Sequence, residues 1–112
     1  MRRFDIYLTD LNPTKGKEIK KIRPALIASP DELNKELETV IIAPMTTKTR
    51  NWPTRIGITF ANKDGQVILD QIRVVDKSRL KKKLGVLEGR ATKQILAILR
   101  EMFSCTKVYT KL

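Results

Sequence analysis

Apolar residues in this chain fall mostly into runs too short for helices. Phe4, Ile6 and Leu8 alternate with Asp5, Tyr7 and Thr9, the period of a half-buried strand over Phe4 to Leu11. Pro24 to Ala28 is continuously apolar over five residues, which suits a buried strand, with Arg23 at its mouth. Thr39 to Met45 is β-branched and apolar, Thr54 to Phe60 alternates, and Asn62-Lys63-Asp64-Gly65 supplies a turn before a strand over Gln66 to Val75. Lys81 to Leu87 reads as a short edge strand. A helical period is sustained in one place only, where Ile95, Ile98, Leu99, Met102 and Phe103 recur at i, i+3, i+4, i+7 and i+8.

Two shorter helical signals punctuate the strands. Ser29-Pro30-Asp31-Glu32 sets a hydroxyl at the N-cap, proline at the first helical position and glutamate at the third, and predicts a helix to about Leu37. Asp76-Lys77-Ser78-Arg79 can cap a single turn. Antiparallel strands joined by short turns, with helices packed outside them, make a curled sheet the expected architecture.

The chain has 112 residues, the size of one domain, and no repeat or linker divides 1–112. No apolar run approaches the ~18 residues of a membrane span, and the N-terminus lacks a signal-peptide core; the expected compartment is the cytoplasm. Cys105 is the single cysteine and can close no intramolecular disulfide. With 23 Lys+Arg against 12 Asp+Glu the net charge is +11, which attracts polyanions: nucleic acid, an acidic membrane surface or an acidic protein.

The absence of histidine removes the commonest acid or base near neutral pH. No hydrolase, P-loop or dinucleotide motif is present, and no carboxylate spacing marks a metal cluster, so neither metal nor cofactor is expected. Three polar sets remain. Arg23-Pro24 aims a five-donor fork from the start of a buried strand, matched to phosphate, although taken alone it fits pairing with a neighbouring carboxylate better. Pro44-Met45-Thr46-Thr47-Lys48 sets two hydroxyls and a lysine where a strand meets a loop, positioned for a ligand or simply capping the strand end. Asp70, Gln71 and Arg73 interrupt a core-like sequence and form either a structural network or part of a site. Lys17, Lys20 and Lys21 in the basic 12–21 loop suit a phosphate backbone or a solvated surface, and Trp52 suits base stacking or a hinge plug.

Taken in order, the segments Asp5 to Thr14, Gly16-Lys17-Glu18, Arg23 to Ile27, Ser29-Pro30, Ala43 to Thr47, Trp52 to Arg55, Leu69 to Arg73 and Val75 to Leu80 resemble the MazF/PemK family of toxins, and the likeness covers nearly the whole chain. It implies a mainly β fold with helices: a small SH3-like curled antiparallel β-barrel with a C-terminal amphipathic helix, paired as a homodimer. It also implies a sequence-specific, metal-independent endoribonuclease that cuts single-stranded messenger RNA by 2′-hydroxyl attack, leaving a cyclic phosphate, and that is silenced by an acidic antitoxin. Arg23 and Thr46 correspond to the family's main catalytic positions. The histidine and second arginine of some branches are Lys17 and Ile68 here, so that acid/base pair does not carry over. Two other functions fit the same barrel: a toxin that poisons a protein, as the related gyrase poisons do, and an RNA-binding module without cleavage.

Overall fold

The computed structural model describes residues 1–13, 15, 16, 18 and 21–105. Its strands are β1 (Asp5–Asp10), β2 (Ile22–Ile27), β3 (Thr39–Thr46), β4 (Arg55–Phe60), β5 (Lys63–Ile68), β6 (Arg73–Asp76) and β7 (Leu80–Val86), with helices α1 (Asp31–Glu36) and α2 (Arg90–Met102). All pairings are antiparallel, in the order β4-β5-β3-β2-β1-β7, with β6 beside β3. The sheet is curled into an open half-barrel: β4 and β7 end the order and meet through Phe60 and Gly85, where a Cβ on Gly85 would stand 2.9 Å from the Phe60 ring.

β3 organises the molecule. Its first half, Thr39 to Ile42, pairs with β6, and its last residues, Met45 and Thr46, pair with Val67 and Gln66 of β5. On its other edge Ile42, Ala43 and Pro44 pair with Ile27, Leu26 and Ala25 of β2. Because successive side chains alternate faces, these strands feed two cores. Leu26, Ala43, Met45 and Val67 enter one, closed by Ile95 of α2; Ala25, Ile27, Val40, Ile42 and Val75 enter the other. Burial on both faces is why Pro24 to Ala28 reads as an unbroken apolar run.

Several local expectations are corrected. The strand expected over Gln66 to Val75 is two strands, broken by a 3₁₀ turn at Leu69–Gln71, because β5 and β6 serve opposite halves of β3. The Asn62 to Gly65 turn lies earlier, at Ala61 and Asn62, with φ of +53° and +63°, so that Phe60 faces Lys63 across a two-residue hairpin and Lys63, Asp64 and Gly65 belong to β5. Ser29 caps no helix: Pro30 is the N-cap, and the Ser29 hydroxyl donates to Asn34 Oδ1 while accepting from the Ile41 amide, a buried set that ties α1 to β3. β1 is half-buried as expected, but its buried residues are Asp5, Ile6 and Thr9, while Phe4 and Leu8 are only partly covered. It lies between β2 and β7 with two register shifts, Thr9 is fully buried, and buried Asp5 accepts from the Arg2 amide at 2.8 Å and lies 3.5 Å from Lys83 Nζ. Phe103 falls beyond the end of α2 and is 74% exposed, outside the stripe that Ile95, Ile98, Leu99 and Met102 turn to the core.

The edge strand over Lys81 to Leu87 appears as β7, and the single turn after Asp76 appears with the Asp76 carboxylate accepting from the Ser78 amide at 2.9 Å. No helix is long and apolar enough to cross a membrane among the described residues.

Candidate active site

Two strands that run side by side through the core part at one end, and the site lies in that fork. β2 and β3 pair up to Ala25 and Pro44. Beyond that point β2 continues along β1, with Arg23 opposite Thr9, while β3 turns to β5, with Thr46 opposite Gln66. A cavity of about 410 Å³ opens between them. Arg23 and Pro24 form one wall, Thr46 and Thr47 another, and Lys63, Asp64, Gly65 and Gln66 of β5 a third; Met45, Ile58, Phe60 and Leu84 make an apolar floor. Arg23 is the second residue of β2, not its mouth, so the ladder fixes its backbone.

The hydroxyl of buried Thr46 accepts from the Lys48 amide at 3.1 Å. This caps the strand end, as the plainer reading of the motif predicts, and it also orients the group: with that lone pair occupied, the hydroxyl proton remains available to donate. The next strand is held close. A Cβ on Gly65 would stand 2.5 Å from the Thr46 carbonyl oxygen, a backbone atom that cannot swing away. Gly65→Ala is expected to push β5 from β3, lowering the melting temperature by roughly 5 to 15 °C and weakening any activity that depends on Thr46. A melt within 2 °C of wild type would show that the strands tolerate the added methyl.

Gln66 braces the loop that follows β3. Its side-chain amide accepts from the Arg50 N–H and donates to the Arg50 carbonyl, both at 2.9 Å. Farther along, Arg55 lies over the Trp52 ring at 4.7 Å from its centroid and meets Asp70 through two hydrogen bonds of 2.8 and 3.1 Å. Thr54 donates to the same carboxylate at 2.8 Å. Burial acts to raise the Asp70 carboxyl, but the hydrogen bonds from Arg55 and Thr54 and the Arg55 charge outweigh it and hold the group below the ordinary carboxylate range.

The structure thus brings together Arg23, Thr46 and Thr47 and leaves Lys21, Lys48, Trp52, Asp70, Gln71 and Arg73 off the cavity lining. Asp70 and Arg73 do not join each other: Asp70 serves Arg55, and Arg73 donates to the Leu11 carbonyl at 3.0 Å. Lys17 and Lys20 lie outside the described residues. Lys63 and Asp64 read as turn residues in the sequence, because Asp64-Gly65 is a stronger turn signal than Ala61-Asn62, and Gln66 reads only as the start of a strand. Among the described residues no group of three or more His, Cys, Asp or Glu is placed to hold a metal ion.

The model of the PemK-like, MazF-like toxins of type II toxin-antitoxin systems matches residues 2–103. The chain belongs to this toxin family. A relative from Staphylococcus saprophyticus, endoribonuclease MazF, is 41% identical to the toxin over 101 residues, covering 85% of this chain and 84% of its own. Among solved structures the toxin is similar to MazF from Deinococcus radiodurans, with a TM-score of 0.80 at 21% identity over 91% of this chain and 94% of that one. It is also similar to a mycobacterial endoribonuclease in complex with its cognate antitoxin, with a TM-score of 0.77 at 24% identity over 90% and 92%. At these identities the structural likenesses establish the mainly β, curled antiparallel fold with its C-terminal helix.

Proposed function

We propose that this toxin is a sequence-specific endoribonuclease that cuts single-stranded RNA without a metal ion, with Arg23 and Thr46 at the scissile phosphate. The observation that carries this reading is the cavity in the fork of β2 and β3, whose lining includes both Arg23 and Thr46, the Thr46 hydroxyl oriented by the Lys48 amide. As a ribose 2′-oxygen attacks phosphorus, the phosphoryl oxygens gain negative charge. The Arg23 fork can grip the two nonbridging oxygens, and Thr46 can donate to one of them. The bond to the 5′-oxygen then breaks, leaving a 2′,3′-cyclic phosphate and a 5′-hydroxyl. The relative named endoribonuclease MazF, 41% identical, supports the same activity.

The remaining partners follow from charge. Thr47, Lys48 and Lys21 flank the fork along the chain, Trp52 is 47% exposed with Arg55 behind its ring, and the net charge is +11. These groups make a path for a phosphate backbone and one base platform, with Lys17, Lys20, Gln71 and Arg73 as further RNA contacts. Asp70 contributes by holding Arg55 beneath Trp52. A disordered acidic antitoxin is the natural competitor for the same basic surface, the working form is a homodimer, and the compartment is the cytoplasm, where messenger RNA is found.

The test is cleavage of a single-stranded RNA by the purified toxin in the presence of a chelator. Fragments ending in a cyclic phosphate, suppressed by an acidic antitoxin, are expected. Binding without cleavage would replace this reading with an RNA-binding module, and neither binding nor cleavage with a toxin that poisons a protein.

A further inference from the structure

The chemistry above leaves one proton unassigned. The attacking 2′-hydroxyl must lose it, yet a guanidinium stays protonated and a threonine hydroxyl is too weak a base at neutral pH. The chain contains no histidine, and Asp64 is the one carboxylate among the described residues that line the cavity.

The ladder places Asp64 relative to Thr46. Gln66 pairs with Thr46, and Asp64 stands two residues before Gln66 on β5, so the alternation of the strand puts Asp64 on the sheet face that carries Thr46. Diagonal neighbours of this kind lie about 7 to 8 Å apart, a gap that a phosphodiester and its ribose can bridge. Gly65, between Asp64 and Gln66 in sequence, rides directly on the Thr46 carbonyl and keeps β5 from drifting away. From β4, the Thr59 hydroxyl donates to Asp64 Oδ1 at 2.6 Å, which orients the carboxylate and turns its second oxygen into the acceptor. The other charged side chains on the lining are Arg23 of β2 and Lys63 of β5; β3 presents Thr46 and Thr47, and β4 and β7 present apolar groups.

We propose that Asp64 is the general base of this toxin, a role that rests on the endoribonuclease reading. The 2′-oxygen forms its bond to phosphorus as its proton passes to Asp64 Oδ2. The electron pair of the bond to the 5′-oxygen leaves with that oxygen, which takes a proton from water. Asp64 then returns its proton to solvent. Thr59 is a positioning residue, acting through the carboxylate it orients.

Single-turnover cleavage of one RNA strand by the full chain, measured from pH 4 to 9, tests this for wild type, Asp64→Asn, Asp64→Glu and Thr59→Val, beside affinity for the 2′-deoxy form of the same strand. Asp64→Asn is expected to slow cleavage by about 10² to 10⁴ fold and to abolish the acid limb of the pH profile. It should bind the deoxy strand at least as tightly, because an anion has been removed beside a phosphate path. Asp64→Glu is expected to retain the acid limb, and Thr59→Val to lower kcat more than it raises KM. Cleavage by Asp64→Asn within threefold of wild type, an unchanged acid limb, or a loss that tracks weaker binding would overturn the assignment. A wild type that cuts beside an equally fast Asp64→Asn removes Asp64 alone; a wild type that cuts no RNA removes the endoribonuclease reading with it.

Discussion

Replacing Arg23 with alanine is expected to slow single-turnover RNA cleavage by about 10² to 10³ fold, equivalent to roughly 3 to 4 kcal/mol of transition-state stabilisation, while leaving the thermal melt within a few degrees of wild type. The chemical cause is a planar, permanently charged fork on a residue that lines the cavity and whose backbone is held by pairing with β1. Because that charge acts on oxygens that become more negative during attack, its loss should appear in kcat more than in KM. Arg23→Lys should recover little, since a point ammonium cannot grip two oxygens in one plane. Thr46→Ser should keep most of the activity and Thr46→Ala lose much of it, as the proposed donation from the hydroxyl requires. Single-turnover rates measured beside melts separate this from a structural arginine. If the melt and the rate fall together, Arg23 holds the fold and not the phosphate.

Ile95→Ala is expected to do the opposite. Ile95 is the one fully buried side chain of α2 and enters the core formed by Ile6, Leu26, Val67 and Leu69. Truncating it removes apolar contact and leaves a cavity that the curled sheet cannot close, for a loss of about 2 to 5 kcal/mol and roughly 10 to 25 °C in melting temperature. Ile95 lies away from the cavity lining, so cleavage per folded molecule at low temperature should stay near wild type. Denaturation and rate measurements on the same sample check both halves of this expectation, and a variant that melts normally would mean that α2 contributes little to the core.

Most strands of this fold are legible in the sequence because their signal is local. The alternation in β4, the continuous apolar run of β2 and the β-branched residues of β3 each follow from which faces the strand buries, and the helical stripe of α2 from the one face it packs against β4 and the 3₁₀ turn at Leu69–Gln71. Expectations failed where a residue's conformation depends on a distant partner. Asp70 and Gln71 interrupt the apolar run, but no glycine or proline from Val67 to Gln71 announces a break in the strand. The chain turns there because the Leu69 amide bonds to the Thr54 carbonyl and because the strands on either side pair with different halves of β3. Asp70 illustrates the same limit: Gln71 and Arg73 are its neighbours in sequence, but its carboxylate is taken by Arg55, fifteen residues away.

The sequence by itself determined the class of this protein: the strands and the final helix, the absence of any imidazole for acid/base chemistry, the strongly basic character, and the ordered series of segments that resembles one toxin family. It also pointed to Arg23 and Thr46 as residue types suited to a phosphate. Only the tertiary structure decided that they line one cavity, which exists because β2 and β3 part after Ala25 and Pro44 and turn toward different neighbours. It likewise moved Lys63, Asp64 and Gly65 from a turn into a strand against Thr46. Strand propensity is a property of a few consecutive residues. Which strands part, and what faces the gap, depends on pairings made across the whole chain.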